Sequence, residues 1–207
     1  MRTTMFKRAA MALAALGCVA LPLAVQAQEG PWLVRVRALQ LNSADKDSTG
    51  LDLSINDKVI PEFDISYFFT PQLAAELVLT YPQKQTIGSG GADIGSLKHL
   101  PPTLTVQYHL TGLGAFKPYA GAGVNYTRFS NVRFDPAVNT ALQPTLSKNS
   151  FGLALQVGFD YQVAKGIYLN VDVKKVQIST DVKSFGTKVG TFKVDPWLIG
   201  GGVGYRF

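Results

Sequence analysis

The chain has 207 residues, 46% of them hydrophobic, with 20 Lys and Arg against 14 Asp and Glu and a formal charge of +6. Three basic residues, Arg2, Lys7 and Arg8, crowd the N-terminus; past them 17 Lys and Arg face 14 Asp and Glu, a mild excess with the signs interspersed. No basic stripe with interleaved aromatics argues for a nucleic-acid partner, and past residue 27 no run of about 18 apolar residues is left to form a helical membrane span.

The first predicted element is an export signal. Behind the basic start, every residue from Ala9 to Val25 is apolar or small, and the stretch ends in Val25-Gln26-Ala27 before the polar Gln28-Glu29. Charge, apolar core and small-residue site stand in the order of a cleaved secretory signal. Cleavage is expected after Ala27, leaving residues 28–207 as one domain of about 180 residues. A retained anchor fits less well, because Gly17 and Pro22 interrupt a run already short for a span. Lipidation on Cys18 fits less well too: Ala15 stands where a lipoprotein signal wants a Leu-like residue, and the chain stays apolar past the cysteine. Cys18 is the only cysteine, so the mature chain has neither a disulfide framework nor a thiolate metal site.

Beyond the signal the dominant pattern is alternation with a period of two, the signature of strands. It opens at Trp32, Val34, Val36 and Ala38, opposite Arg35 and Arg37, and continues at Phe63, Ile65, Tyr67 and Phe69. Leu73 to Tyr81, Leu104 to Leu110 and Ala120 to Tyr126 follow. The longest run sets Phe151, Leu153, Leu155, Val157, Phe159, Tyr161 and Val163 against only small or polar residues. Ile167 to Val173 and Trp197 to Phe207 make eight strands, an even number, as a bacterial single-chain barrel has. The apolar phase slips near Lys174-Lys175 and again near Asp195-Pro196, where a β-bulge or the start of a loop is expected.

The connections alternate in length. Residues 70–72, 111–117 and 164–166 are short; residues 43–61, 82–102, 130–149 and about 180–190 are long. The expected fold is therefore all-β: an eight-stranded antiparallel transmembrane β-barrel with short periplasmic turns and long extracellular loops. A soluble barrel would put the large residues inside, but an eight-stranded interior is too narrow for them. Glycine and alanine recur on the other face instead, at Gly121, Gly123, Gly152, Ala154, Gly200, Gly202 and Gly204. Aromatics such as Trp32, Tyr81, Tyr126, Phe151, Tyr161 and Trp197 fall near strand ends, where interfacial girdles belong. These features place the mature chain in the outer membrane of a Gram-negative cell, in contact with its lipids. Val203-x-Tyr205-x-Phe207 resembles the terminal signal read by the outer-membrane assembly machinery, with Phe207 as its key residue.

Several segments carry a family resemblance. Tyr67-Phe-Phe-Thr-Pro-Gln-Leu-Ala-Ala-Glu-Leu through Tyr81-Pro82 is similar to the second hairpin region of the OmpW family. Gly95-Ser-Leu-Lys-His-Leu-Pro-Pro-Thr-Leu, Phe116-Lys-Pro-Tyr-Ala-Gly-Ala-Gly-Val-Asn-Tyr, Val194-Asp-Pro-Trp and Gly204-Tyr-Arg-Phe match it in order. The resemblance implies a narrow barrel that binds or passes small hydrophobic molecules and, in some members, releases them sideways into the bilayer.

Alternation assigns both charged and apolar residues to the lumen face. Arg35, Arg37, Asp64, Glu76, His109, Asp160 and Asp172 are ionisable; Leu33, Leu39, Phe68, Val78 and Leu198 are apolar. The apolar set is expected to line a hydrophobic site toward the outer half, making the barrel a narrow channel or binding site that aids uptake. The alternative is a structural or receptor barrel whose lumen is plugged, with function in the outer loops. No catalytic set can be assembled. His99 is read as a loop residue beside Pro101-Pro102, and His109 as a paired interior residue. No metal-ligand spacing is present, and Asp45, Asp47, Asp52 and Asp57 miss the calcium-loop pattern. No cofactor is implied, and no enzymatic activity is expected.

Overall fold

A computed structural model describes residues 29–207; the signal, its cleavage point after Ala27 and Cys18 lie outside the described residues. In chain order the strands are β1 (Trp32–Asn42), β2 (Lys46–Asp47), β3 (Leu53–Ile55), β4 (Lys58–Phe68) and β5 (Leu73–Thr80). Next come β6 (Gln83–Ser89), β7 (Ala92–Leu100), β8 (Thr103–His109) and β9 (Phe116–Phe134), then helix α1 (Pro136–Leu142). β10 (Thr145–Leu146), β11 (Asn149–Ala164), β12 (Ile167–Val176), β13 (Ser179–Ser184), β14 (Thr187–Lys193) and β15 (Trp197–Arg206) follow.

Eight of these strands close on themselves in the order β1-β4-β5-β8-β9-β11-β12-β15, each antiparallel to its neighbours, with β15 paired back to β1. Closure leaves no free edge, which is what a sheet in hydrocarbon requires. The eight strands are those read from alternation, and their outward residues are apolar and exposed: Val36, Leu104, Val106, Val124, Leu153, Leu155, Val157 and Val203 among them. A wall of this kind is unstable in water and is satisfied by lipid. Aromatics rim it at both ends. Trp32 lies 4.7 Å from Tyr67, and Tyr67 lies 5.2 Å from Phe69, at the short-turn end. Tyr126 lies 4.8 Å from Phe151 at the other end. From Phe116 to Tyr126 of β9 is ten steps, about 34 Å along a strand; at a tilt of about 40° this gives a height close to the ~25 Å apolar band of outer-membrane barrels.

The long loops are not irregular. β4 starts at Lys58 and β9 runs to Phe134, so Pro61 and Ser130, expected in loops, are strand residues. β9 continues past the barrel to pair with β7, and β7-β6-β3 extend the same sheet outward. A second, four-stranded sheet, β10-β13-β14-β2, stands beside it. The two sheets prolong the barrel at the long-loop end.

The bulge expected near Lys174-Lys175 is not there. β12 pairs in unbroken register through Lys175 with β15 and from Tyr168 through Val176 with β11, whose one register shift falls at the far end, between Gln162 and Ala164. Tyr168, Asn170, Asp172, Lys174, Val176 and Ile178 all face inward, so the apparent slip is a change in what the interior contains, from polar to apolar. Near Asp195 the irregularity is real: Asp195 has φ 33°, and the amides of Val194 and Asp195 both donate to the Ile178 carbonyl.

Candidate functional site

The interior is stacked in three levels along β1, whose residues 33 to 41 alternate inward. Leu33, Phe68, Ala74 and Tyr168 form an apolar floor at the short-turn end. Beneath it the Arg206 guanidinium lies 3.8 Å from the Phe68 ring centre, and Arg206 Nη1 lies 3.2 Å from Glu29. Glu29 also accepts hydrogen bonds from Tyr168, from Lys117 at 3.0 Å and from Gln162 at 2.9 Å. Burial alone would raise the Glu29 pKa; the hydrogen bonds from Tyr168 and Lys117 and the charges of Lys117 and Arg206 outweigh it, holding the carboxyl below its usual range.

Above the floor lies a charged layer. Arg35 faces Asp64 across the β1–β4 ladder at 3.0 Å and grips Asp160 with Nε and Nη2 at 3.0 and 2.7 Å. Arg37, one step on, meets Glu62, Asp64 and Glu76 at 2.8, 2.6 and 3.0 Å. Lys174 reaches Glu62 at 2.7 Å, and Tyr119 donates to Asp172 at 2.8 Å. Room for these long chains comes from the opposite strand, where Arg35 stands across from Gly204 and Arg37 across from Gly202. A Cβ on Gly202 would sit 1.9 Å from the Val36 carbonyl oxygen and 2.8 Å from Arg37 Cγ, so only glycine fits. Arg35, Asp64, Glu76 and Asp172 are 0% exposed. Groups lining an aqueous pore would be wetted; these are not, so water finds no path through this level.

Leu39, Ile60, Ala154, Val176 and Leu198 cover the charged layer and begin a continuous apolar cluster above it. Within the two outer sheets that cluster surrounds a cavity lined by Leu41, Ile87, Leu97, Phe129, Ile178 and Phe192, among others, with Val138 and Leu142 of α1 also in its wall. The cavity volume is about 50 Å³, more than the ~30 Å³ share of a single water and less than the ~150 Å³ that holds benzene, so the walls must part to seat a guest of that size. Beside the cavity the wall has a weak seam. β5 and β8 pair only from Leu73–Tyr108 to Val78–Thr103; beyond that lie Thr80, whose buried hydroxyl has no partner, and Pro101-Pro102. A second, lipid-facing hollow of about 180 Å³ lies there between Leu77, Pro102, Leu104, Val124 and Phe151.

A family model described as the OmpW family matches residues 25–207. The chain belongs to the OmpW family. Outer-membrane protein y4mB of Sinorhizobium fredii is 47% identical over 193 residues, covering 88% of this chain and 82% of that protein. The dibenzothiophene metabolism operon protein PahQ of Pseudomonas aeruginosa is 28% identical, over 98% of this chain and all of its own length. The crystal structure of OprG from Pseudomonas aeruginosa superposes with a TM-score of 0.76 at 26% identity, covering 86% of this chain and 97% of that one. The chain is an outer-membrane barrel; the short turns face the periplasm and the cavity faces outside.

Against this OmpW-family barrel the sequence-derived positions sort by level. Arg35, Glu76 and Asp160 sit in the charged layer with Arg37, Asp64 and Asp172. His109 lies between them and the floor, 2.9 Å from Gln107 and flanked by the rings of Phe68 and Tyr119. Phe207 is exposed at the periplasmic rim, its main chain paired with Trp32. Two corrections follow for the apolar set. Leu33 and Phe68 belong to the periplasmic floor, not the outer half, and Val78 stands opposite Asp64 at the charged level. Leu39 and Leu198 alone approach the cavity, from below. His99 is not a loop residue: it lies in β7, is 4% exposed and lines the cavity. The cavity residues Leu53, Ile55, Ile87 and Val182, among others, fell in segments read as loops. Their signal was present, since Leu51-Leu53-Ile55 and Phe192-Val194-Pro196-Leu198 also alternate. Glu62 and Lys174 were missed because one strand was begun at Phe63, five residues after its start at Lys58, and another was taken to slip.

Proposed function

We propose that this protein takes small hydrophobic molecules from outside the cell into its apolar cavity and aids their passage across the outer membrane. The observation that carries the reading is an apolar cavity within the outer sheets, at the long-loop end, stacked above a sealed charged layer. A guest gains about 25 cal/mol per Å² of apolar surface it buries, but the charged layer blocks its way down the axis. The exit is therefore sideways, through the β5–β8 seam into the bilayer, as in the sideways release that the family resemblance implies. The occurrence of a full-length relative named for a dibenzothiophene metabolism operon supports an apolar, aromatic-sized cargo. The protein works by binding and passage, without catalysis.

The sealed layer equally suits a plugged barrel that acts through its outer surface. Uptake of radiolabelled naphthalene by cells lacking and then regaining the gene separates the two. Restored uptake with wild type, and not with a Phe129→Arg variant that still inserts, supports passage. Equal uptake in all three strains would leave the receptor reading.

A further inference from the structure

The cavity is apolar nearly all round, yet one corner is not. On the interior face, Gln83 pairs with His99 and Gln85 with Leu97 across the β6–β7 ladder. Gln85 and His99 are therefore diagonal neighbours, about 7–8 Å apart in the backbone and within reach of one another's long side chains. Gln85 is 0% exposed, and both its side-chain oxygen and its side-chain nitrogen lack a hydrogen-bond partner. His99 lines the cavity, and no side-chain hydrogen bond among the described residues involves its ring. Buried amides are otherwise almost always paired. Gln85 is not itself a wall residue, but its cross-strand partner Leu97 and its same-face neighbour Ile87 both line the cavity; an amide with donor and acceptor both free, beside a cavity-lining imidazole, is an incomplete set.

We propose that Gln85 and His99 form the polar end of the cavity and receive the neutral oxygen of an otherwise apolar ligand, a hydroxyl or carbonyl group. The inference rests on the uptake reading and names its ligand class more closely. The chemistry favours a neutral group over a charged one. Burial, then the charge of Lys58, pushes the His99 ring down to about 4, so the ring is uncharged at neutral pH. The Lys58 ammonium donates to the Lys84 main-chain oxygen at 3.4 Å. Neutral imidazole and amide each offer one kind of donor and one of acceptor, and a hydroxyl answers both, whereas a carboxylate would need a cation and a pure alkane would leave both groups unpaired.

The full mature chain in phospholipid nanodiscs is titrated at pH 7.5 with n-octane, 1-octanol and octanoate, each corrected for partition into empty nanodiscs. Binding is read from NMR shifts of the cavity amides and of the Gln85 side chain. The expected result is 1-octanol at least about fivefold tighter than n-octane, as one or two net hydrogen bonds give, with octanoate weaker than 1-octanol. Gln85→Leu, and independently His99→Phe should the first variant fail to fold, abolishes the preference and leaves octane binding intact. Equal binding of octane and octanol, with no effect of either variant, overturns the polar end and leaves the uptake reading standing; water then satisfies Gln85. Octanoate tighter than octanol overturns the neutral class. No binding of any probe overturns both the polar end and the uptake reading.

Discussion

Arg35 holds the charged layer together because, among the described residues, it alone touches Asp64, Glu76 and Asp160 at once, at 3.0, 3.5 and 2.7 Å. Removing it leaves Asp160 buried without a cation, while Asp64 and Glu76 keep Arg37; stranding a buried charge in this way costs about 3–5 kcal/mol. Arg35→Met should lose that much in reversible urea unfolding from lipid; a loss under about 1 kcal/mol would show that water already enters the layer. Glu29 carries the pH dependence at the periplasmic mouth. Its folded pKa lies below the unfolded value of about 4.3, so its contribution is present above that pH and lost as pH falls through the folded value. Glu29→Gln should therefore lower Tm at pH 7, and the gap to wild type should close below about pH 4. A gap that stays constant down to pH 3 would assign the effect to packing rather than charge.

At the scale of the strand, glycine decides where a long interior side chain can lie. Gly200, Gly202 and Gly204 stand across from Leu39, Arg37 and Arg35. Gly202→Val should cut outer-membrane insertion severalfold in cell fractionation while Ala38→Val, on the lipid face of the neighbouring strand, should not; normal insertion of both would mean β15 can shift away from β1. The same face-by-face logic explains what the sequence revealed. Period two identified all eight barrel strands and the inward face, because lipid outside and a narrow interior inside impose opposite demands on neighbouring residues. It did not reveal which level an inward residue occupies, since alternation carries no height: Leu33 and Leu39 read alike, yet one lies in the floor and the other below the cavity. Nor did it reveal the outer sheets. Beyond the bilayer both faces of a strand meet water or protein, so β6, β7, β13 and β14 lose the strong outward apolar signal. At Lys174 to Ile178 the inward face itself turns from polar to apolar, which mimics a slip of register.

At the scale of the molecule, assembly and transport use opposite ends. Phe207 closes the β15–β1 seam at the periplasmic rim. Its deletion should reduce barrel insertion and leave export to the periplasm unchanged, measured by cell fractionation; full insertion of the deletion variant would remove Phe207 as an assembly signal. The transport end is the cavity, separated from the periplasm by a dry layer of charge. A structure of the protein soaked with bromobenzene, read from the anomalous signal of bromine, tests that division most directly. The account predicts a bromine peak among Ile87, Phe129, Ile178 and Phe192, and none between Arg35 and Glu76. A peak within the charged layer, or an empty cavity with bromine only on the outer wall, would contradict it.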